Sequence, residues 1–227
     1  MDLFSTFDPQ TTLLGVRTAL NWSSATLGIA FMPVGYWLRL NRYYKIFWKA
    51  ILFISNELKI IMKGEKYGSY HMFVSLFLMI LMNNLLGMFP FIFTATSHMV
   101  FTLTFSISLW ISFMIFGWVN FTNSMFAHMV PNGTPAILMP FMVCIETISN
   151  VIRSGTLAIR LSANMISGHL LLTLMGEKGP HLSLMWCMIL IVSQIILMTL
   201  EFSVSIIQSY VFSVLSALYS GESVGEK

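Results

Sequence analysis

Charge is scarce in this chain. Only 9% of its 227 residues are Asp, Glu, Lys or Arg, against about a quarter in a soluble domain. Residues 67–145 contain none at all, a stretch long enough for more than one membrane segment, so a soluble domain with a large core is excluded. Cysteine is nearly absent as well. Cys144 and Cys187 both fall in apolar segments, where they read as small buried side chains and offer no disulfide framework. No basic region precedes the first apolar stretch in MDLFSTFDPQ, which resembles neither a secretory signal nor an Arg-rich transit peptide, and insertion from the side of synthesis is expected. The net charge of +3 does not lie on a soluble face, so no nucleic-acid partner is expected. His71, His98, His128 and His181 show no metal-ligand spacing and read as interfacial or turn residues; no metal or cofactor is expected.

What the chain does contain is a series of helical patterns, and the fold class expected is an all-α integral membrane protein in a single membrane domain, 1–227. A first span is expected over 13–38. Segment 39–66 then holds seven of the twelve Lys and Arg. Arg42, Lys45, Lys49, Asn56, Lys59 and Lys63 follow steps of three, four and seven, one stripe of an amphipathic helix over 42–63 that lies in the membrane surface. The positive-inside rule puts it on the side of synthesis and the N-terminus on the other. Spans follow at 70–90 and 98–119. Asn83 and Asn84, inside the first of these, read as partners in helix–helix hydrogen bonds. The three N-x-S/T matches at Asn21, Asn120 and Asn132 read as chance. Pro131, Gly133 and Pro135 mark a rigid turn before the next helix.

The last hundred residues hold two patterns too long for upright spans. Residues 134–175 would extend roughly 63 Å and 181–219 roughly 58 Å, about twice the ~30 Å hydrocarbon core. Either each is two short spans, or both lie steeply tilted as one hairpin. Neither has a polar turn at its midpoint, so the tilted hairpin is expected, giving about five membrane-embedded helices plus the amphipathic one.

Each long helix carries one hydrophilic seam. Glu146, Asn150, Arg153, Arg160, Asn164 and Ser167 are spaced by four, three, seven, four and three, and Gln194, Glu201, Ser205 and Gln208 by seven, four and three. His169 falls about half a turn from Arg160. A charge at mid-membrane costs about 2.5–3.5 kcal/mol on insertion scales, so such residues usually mark an ion path or a counter-ion. His169 and Glu201 read as the two groups that gain and lose protons near physiological pH. Arg160 keeps its proton; it can block a relay or pair with an acid. An internal salt bridge, Arg160 with Glu201, is the plainer alternative. Mirror counting about the GEKGP turn sets Arg160 beside roughly Met198.

The run TPAILMPFMVCIETISNVIRSGTLAIRLSANMISGHLLLTL resembles the core signature of subunit a of the F-type ATP synthase, also called ATPase subunit 6. HMVPNGTP, NNLLGMFPFIFTATSH and LEFSVSIIQSYVFSVLSALY match the same family in order and spacing, while the first 40 residues and the tail GESVGEK match least. The resemblance implies a non-catalytic stator in the mitochondrial inner membrane. It would work against a rotating ring of carboxylate-bearing hairpins, alongside other membrane-sector and peripheral-stalk subunits and the lipid bilayer. By the same resemblance Arg160 faces the ring carboxylate with Gln208 close to it. His169 and Glu201 serve the half-channel from the proton-rich side, with acid and imidazole exchanged relative to bacterial members. Glu146 lies toward the exit, with Arg153 and Asn150 nearby; Asn164 and Ser205 support the path. The resemblance sets the N-terminus toward the intermembrane space and 39–66 toward the matrix. The eighteen methionines suit an organelle-encoded animal member, arthropod-like in flavour. Two other readings remain at this point: a self-contained ion channel or transporter, and a purely structural subunit.

Overall fold

A computed structural model of the chain describes residues 7–13, 16–30, 32, 41–62, 70–89, 92–130, 135, 138–181 and 183–224. The chain opens with a small antiparallel ribbon, β1 (Thr11–Leu13) on β2 (Val16–Thr18). Thr11, Thr12, Val16 and Thr18 are β-branched and favour extended backbone. Thr11 Oγ1 also donates to the Thr18 carbonyl at 3.1 Å across the pair. The first span expected over 13–38 therefore begins in a strand, and its described helix is only α1 (Ser24–Ala30). The rest of that expectation, residues 33–38, lies outside the described residues.

Six more helices follow: α2 (Arg42–Ile61), α3 (Tyr70–Gly87), α4 (Met99–Asn120), α5 (Thr122–Met129), α6 (Met139–Lys178) and α7 (Leu184–Val224). Lys63, the last residue of the expected amphipathic helix, lies outside the described residues, as do Pro90, Pro131, Gly133 and Thr134. The short α5 lies between the span expected over 98–119 and the turn expected at 131–135, outside every expected helix. Pro140 sits in the first turn of α6, where its missing N–H costs no hydrogen bond, and Gly155 leaves the 40-residue helix continuous. The two long elements are thus single helices and not paired short spans. Among the described residues four helices are long and apolar enough to cross a membrane: Tyr70–Gly87, Met99–Asn120, Met139–Lys178 and Leu184–Gly221.

The bundle closes around two apolar layers. In the first, Leu76 and Ile80 of α3, Leu109 of α4, Leu157 and Leu161 of α6 and Phe212 of α7 meet. In the second, nearer one end, Leu58 of α2 and Met62 just after it pack on Phe73, Val74 and Ala217. Helices α3 and α7 approach closely because α7 turns small residues inward, with Ser205, Ser209, Ser213, Ser216, Ala217 and Ser220 all buried; small residues let helix backbones pack in lipid. Ser209, Ser213, Ser216 and Ser220 each donate to the carbonyl three residues back, which satisfies the hydroxyl inside its own helix. Between α4 and α6, Ser106 Oγ donates to the Ser154 carbonyl at 2.6 Å.

Candidate functional site

Arg160 projects from the outer face of α6. Its neighbours Ala158, Leu161 and Leu157 are buried, so the backbone is anchored while the side chain is exposed. Among the described residues it has no ion-pair or hydrogen-bond partner. It lines a recess of about 280 Å³ with Arg153, Thr156 and Leu157 of α6 and Leu215, Leu218 and Tyr219 of α7. The Arg153 guanidinium lies over the Tyr219 ring, 5.5 Å from its centroid, a cation–π arrangement. Two guanidinium groups thus border one opening, and an anion is its chemical complement. Glu146 and Asn150 lie half-buried on the same helix toward that end.

Glu201 is elsewhere. Its carboxylate lies against the α6 backbone at Gly168, where an added Cβ would overlap Glu201 Oε1 and fall 2.6 Å from Cδ. Gly168 follows Arg160 by eight residues, about 12 Å along the helix, so the salt bridge of Arg160 with Glu201 considered from sequence does not form. His169 stands next to that contact, half-buried, its ring edge-on to Phe7 with centroids 6.5 Å apart.

Register between α6 and α7 differs from mirror counting. Ser193 Oγ approaches Met175 Sδ at 3.7 Å, and a Cβ at Gly176 would lie 3.9 Å from Gln194 Nε2. Three residues of α6 follow Met175, whereas nine of α7 precede Ser193. The first turns of α7 therefore overshoot the end of α6, and the hairpin arms are offset. Interpolating between Gly168–Glu201 and Arg153–Tyr219 sets Arg160 level with Tyr210 or Val211, not Met198, and less than one turn from Gln208.

The buried polar atoms around Glu201 are conspicuously unpaired. Among the described residues Glu201 Oε2, His169 Nε2 and Ser205 Oγ have no hydrogen-bond partner, and neither have the two amide atoms of Asn84. Asn84 is fully buried. Val74 shares one layer with Ala217 and Ile80 shares the other with Phe212, a register that extrapolates to Asn84 lying level with Gln208 and Ser209. A Cβ at Gly87, one turn on, would lie 3.5 Å from Met165 Cε and 2.5 Å from Thr94 Cγ2, which ties α3 to α6 and to the 95–97 turn. In that turn and just after it, Thr96 Oγ1 and His98 Nε2 are also buried without partners. Orphaned polar atoms on this scale are costly unless water reaches them. Among the described residues Asn83 and Asn84 make no helix–helix hydrogen bond: Asn83 Nδ2 donates to the Met79 carbonyl in its own helix at 3.0 Å, and neither amide atom of Asn84 has a partner. Sequence reasoning saw this pair and misread it; it missed Gly168 as the seat of the carboxylate.

Asn164 is half-buried and Ser167 exposed on the Arg160 side of α6. Ser167 donates to the Asn164 backbone carbonyl at 3.2 Å. Among the described residues no group of three or more His, Cys, Asp or Glu side chains converges on a metal position. Two polar zones thus sit at opposite ends of the bundle. The layer of Leu76, Ile80, Leu109, Leu157, Leu161 and Phe212 lies between them, and Arg160 sits on the surface at that level.

Ser205→Ala and Asn84→Leu separate hydration from packing. Among the described residues neither hydroxyl nor amide has a partner to lose, so both variants are expected to assemble at normal levels, while any activity that depends on water in this zone falls several-fold. Reduced assembly with normal activity per complex would contradict this.

The family described as ATP synthase A chain matches residues 19–221. Proteins named ATP synthase subunit a are similar over nearly the full length. The chain is 56% identical to that of Anopheles gambiae over 223 residues, covering 97% of this chain and 98% of the relative. It is 54% identical to that of Drosophila melanogaster over the same length and coverage, and 52% identical to that of Locusta migratoria over 222 residues, 97% and 98%.

Proposed function

The chain belongs to the ATP synthase A chain family, and on that premise we propose how its two polar zones move protons. It is the proton-translocating stator subunit of the membrane sector, a multi-pass protein of the mitochondrial inner membrane, and it works with other ATP synthase subunits. The finer reading is that it carries no ATP chemistry itself and forms two offset half-channels against a ring of carboxylate-bearing subunits, with peripheral-stalk subunits holding it still.

A proton enters through the hydrated zone of His98, Thr96, Asn84 and Ser205 and reaches His169 and Glu201. It passes to a ring carboxylate, which then enters lipid without charge. After the ring has turned, the acid meets the outlet zone of Arg153, Asn150 and Glu146 and releases the proton. Arg160, with Asn164 and Gln208 beside it, attracts the bare carboxylate and repels protons that would cross directly. Each charge moved contributes about 2.3 kcal/mol per 100 mV, so several are summed for each ATP. The outlet zone lies at the end where the basic helix α2 packs, which supports a matrix position for 39–66 and an intermembrane-space position for the N-terminus.

The observation that carries this reading is the apolar layer dividing the zones. A self-contained channel needs a continuous path, and six packed apolar side chains interrupt it here. Reconstituted alone in liposomes, the chain is expected to pass no steady proton current, and current is expected once the ring is present. Selective conduction by the chain alone would favour the channel reading.

A further inference from the structure

Among the described residues, α2 joins the layer with α3 and α7 through its C-terminal half, by Ile51, Ile54, Leu58 and Ile61, and the turns before Ile51 add no side chain to that layer. On the face turned away from that layer, Arg42, Lys45 and Lys49 are exposed, and α2 contains a single acid, Glu57. On one side of the cations run Ile46, Phe53 and Ile60, seven residues apart and 69%, 65% and 75% exposed, and on the other side stand Trp48 and Leu52, 46% and 45% exposed, with Tyr43 exposed in the first turn.

A partner helix would need a second apolar line three or four positions on. Those positions are Lys49 and Ala50 after Ile46, and Asn56 and Glu57 after Phe53. A row of long cations with apolar side chains on both sides instead fits an interface where acyl chains meet phosphates, with the lysine stems lying along the apolar side and the ammonium groups at headgroup height. We propose that the N-terminal half of α2 is a binding row for anionic phospholipid, with Arg42, Lys45 and Lys49 holding headgroup phosphates while Ile46 and Phe53 enter the acyl region. This rests on the surface position of α2 proposed above.

The test uses the assembled synthase in phosphatidylcholine vesicles doped with a photoactivatable phosphatidylglycerol or a matched photoactivatable phosphatidylcholine. Mass spectrometry then reads labelled peptides. Peptides covering 42–53 are expected to take the anionic probe at least about fivefold more than the zwitterionic one, the effect of one cation near an anionic surface. The preference should vanish in Lys45→Gln/Lys49→Gln and in about 1 M salt, where the Debye length falls to about 3 Å, and survive in Lys45→Arg/Lys49→Arg. If the glutamine variant does not assemble, the salt response of the unmodified complex decides. Equal labelling by both probes, absence of lipid label, or cross-links from Lys45 and Lys49 to an acidic protein segment instead would overturn the proposal. Labelling requires no proton flow, so it stands or falls apart from the half-channels.

Discussion

Arg160→Lys is expected to reduce coupled ATP synthesis by at least about 100-fold, the scale of loss when a reacting partner is misplaced by about 1 Å, with the subunit still present in the complex. Lysine keeps the charge but loses the planar fork that engages a carboxylate through two parallel hydrogen bonds, and its ammonium is more strongly hydrated. Assembly should survive because Arg160 is exposed and has no polar partner in its own chain among the described residues, so the substitution removes no internal bond. Measuring synthesis together with subunit content separates the readings. Normal synthesis would mean that a point charge is enough, and loss of the subunit would make Arg160 a structural residue.

The second large effect is expected at a residue with no side chain. Gly168→Ala sets a methyl group where the Glu201 carboxylate now lies, and α6 is held by packing on both sides, so the acid must leave. Proton-driven synthesis should fall about tenfold, to the level of Glu201→Gln, and the double substitution should cost little more than either alone, the signature of two residues acting through one interaction. Fully additive losses, or normal activity in Gly168→Ala, would show that the carboxylate works from some other position. His169→Ala, which leaves the Glu201 seat intact, should slow the same step without matching the double substitution.

Helical spacing was enough to find the two seams, because a period of 3.6 sets Arg153, Arg160 and Asn164 on one face whatever surrounds them. It was also enough to read 134–175 and 181–219 as long tilted helices. What spacing cannot carry is axial register between two helices. That depends on how far α7 climbs past the end of α6, a property of the connecting turn, and it moved Arg160 from the level of Met198 to that of Tyr210. The ribbon at 11–18 was hidden for a related reason: strands of three residues, Thr-Thr-Leu and Val-Arg-Thr, are too short to show an alternating pattern beside the apolar run that follows. Asn84 was visible as a polar residue in an apolar segment, but only its burial without partners distinguishes a hydrated group from helix glue. Gly168 carried no signal of its own, since a glycine in a helix looks the same with or without a carboxylate against it.

The account turns on which acid Arg160 meets. The most direct measurement is the distance from its guanidinium to each nearby carboxylate in a structure of the assembled membrane sector. The account predicts a ring carboxylate within about 4–6 Å, the range in which opposite charges stabilise one another, with Glu201 still seated at Gly168. Arg160 paired instead with Glu146 or Glu201 of its own chain, away from the ring, would contradict it.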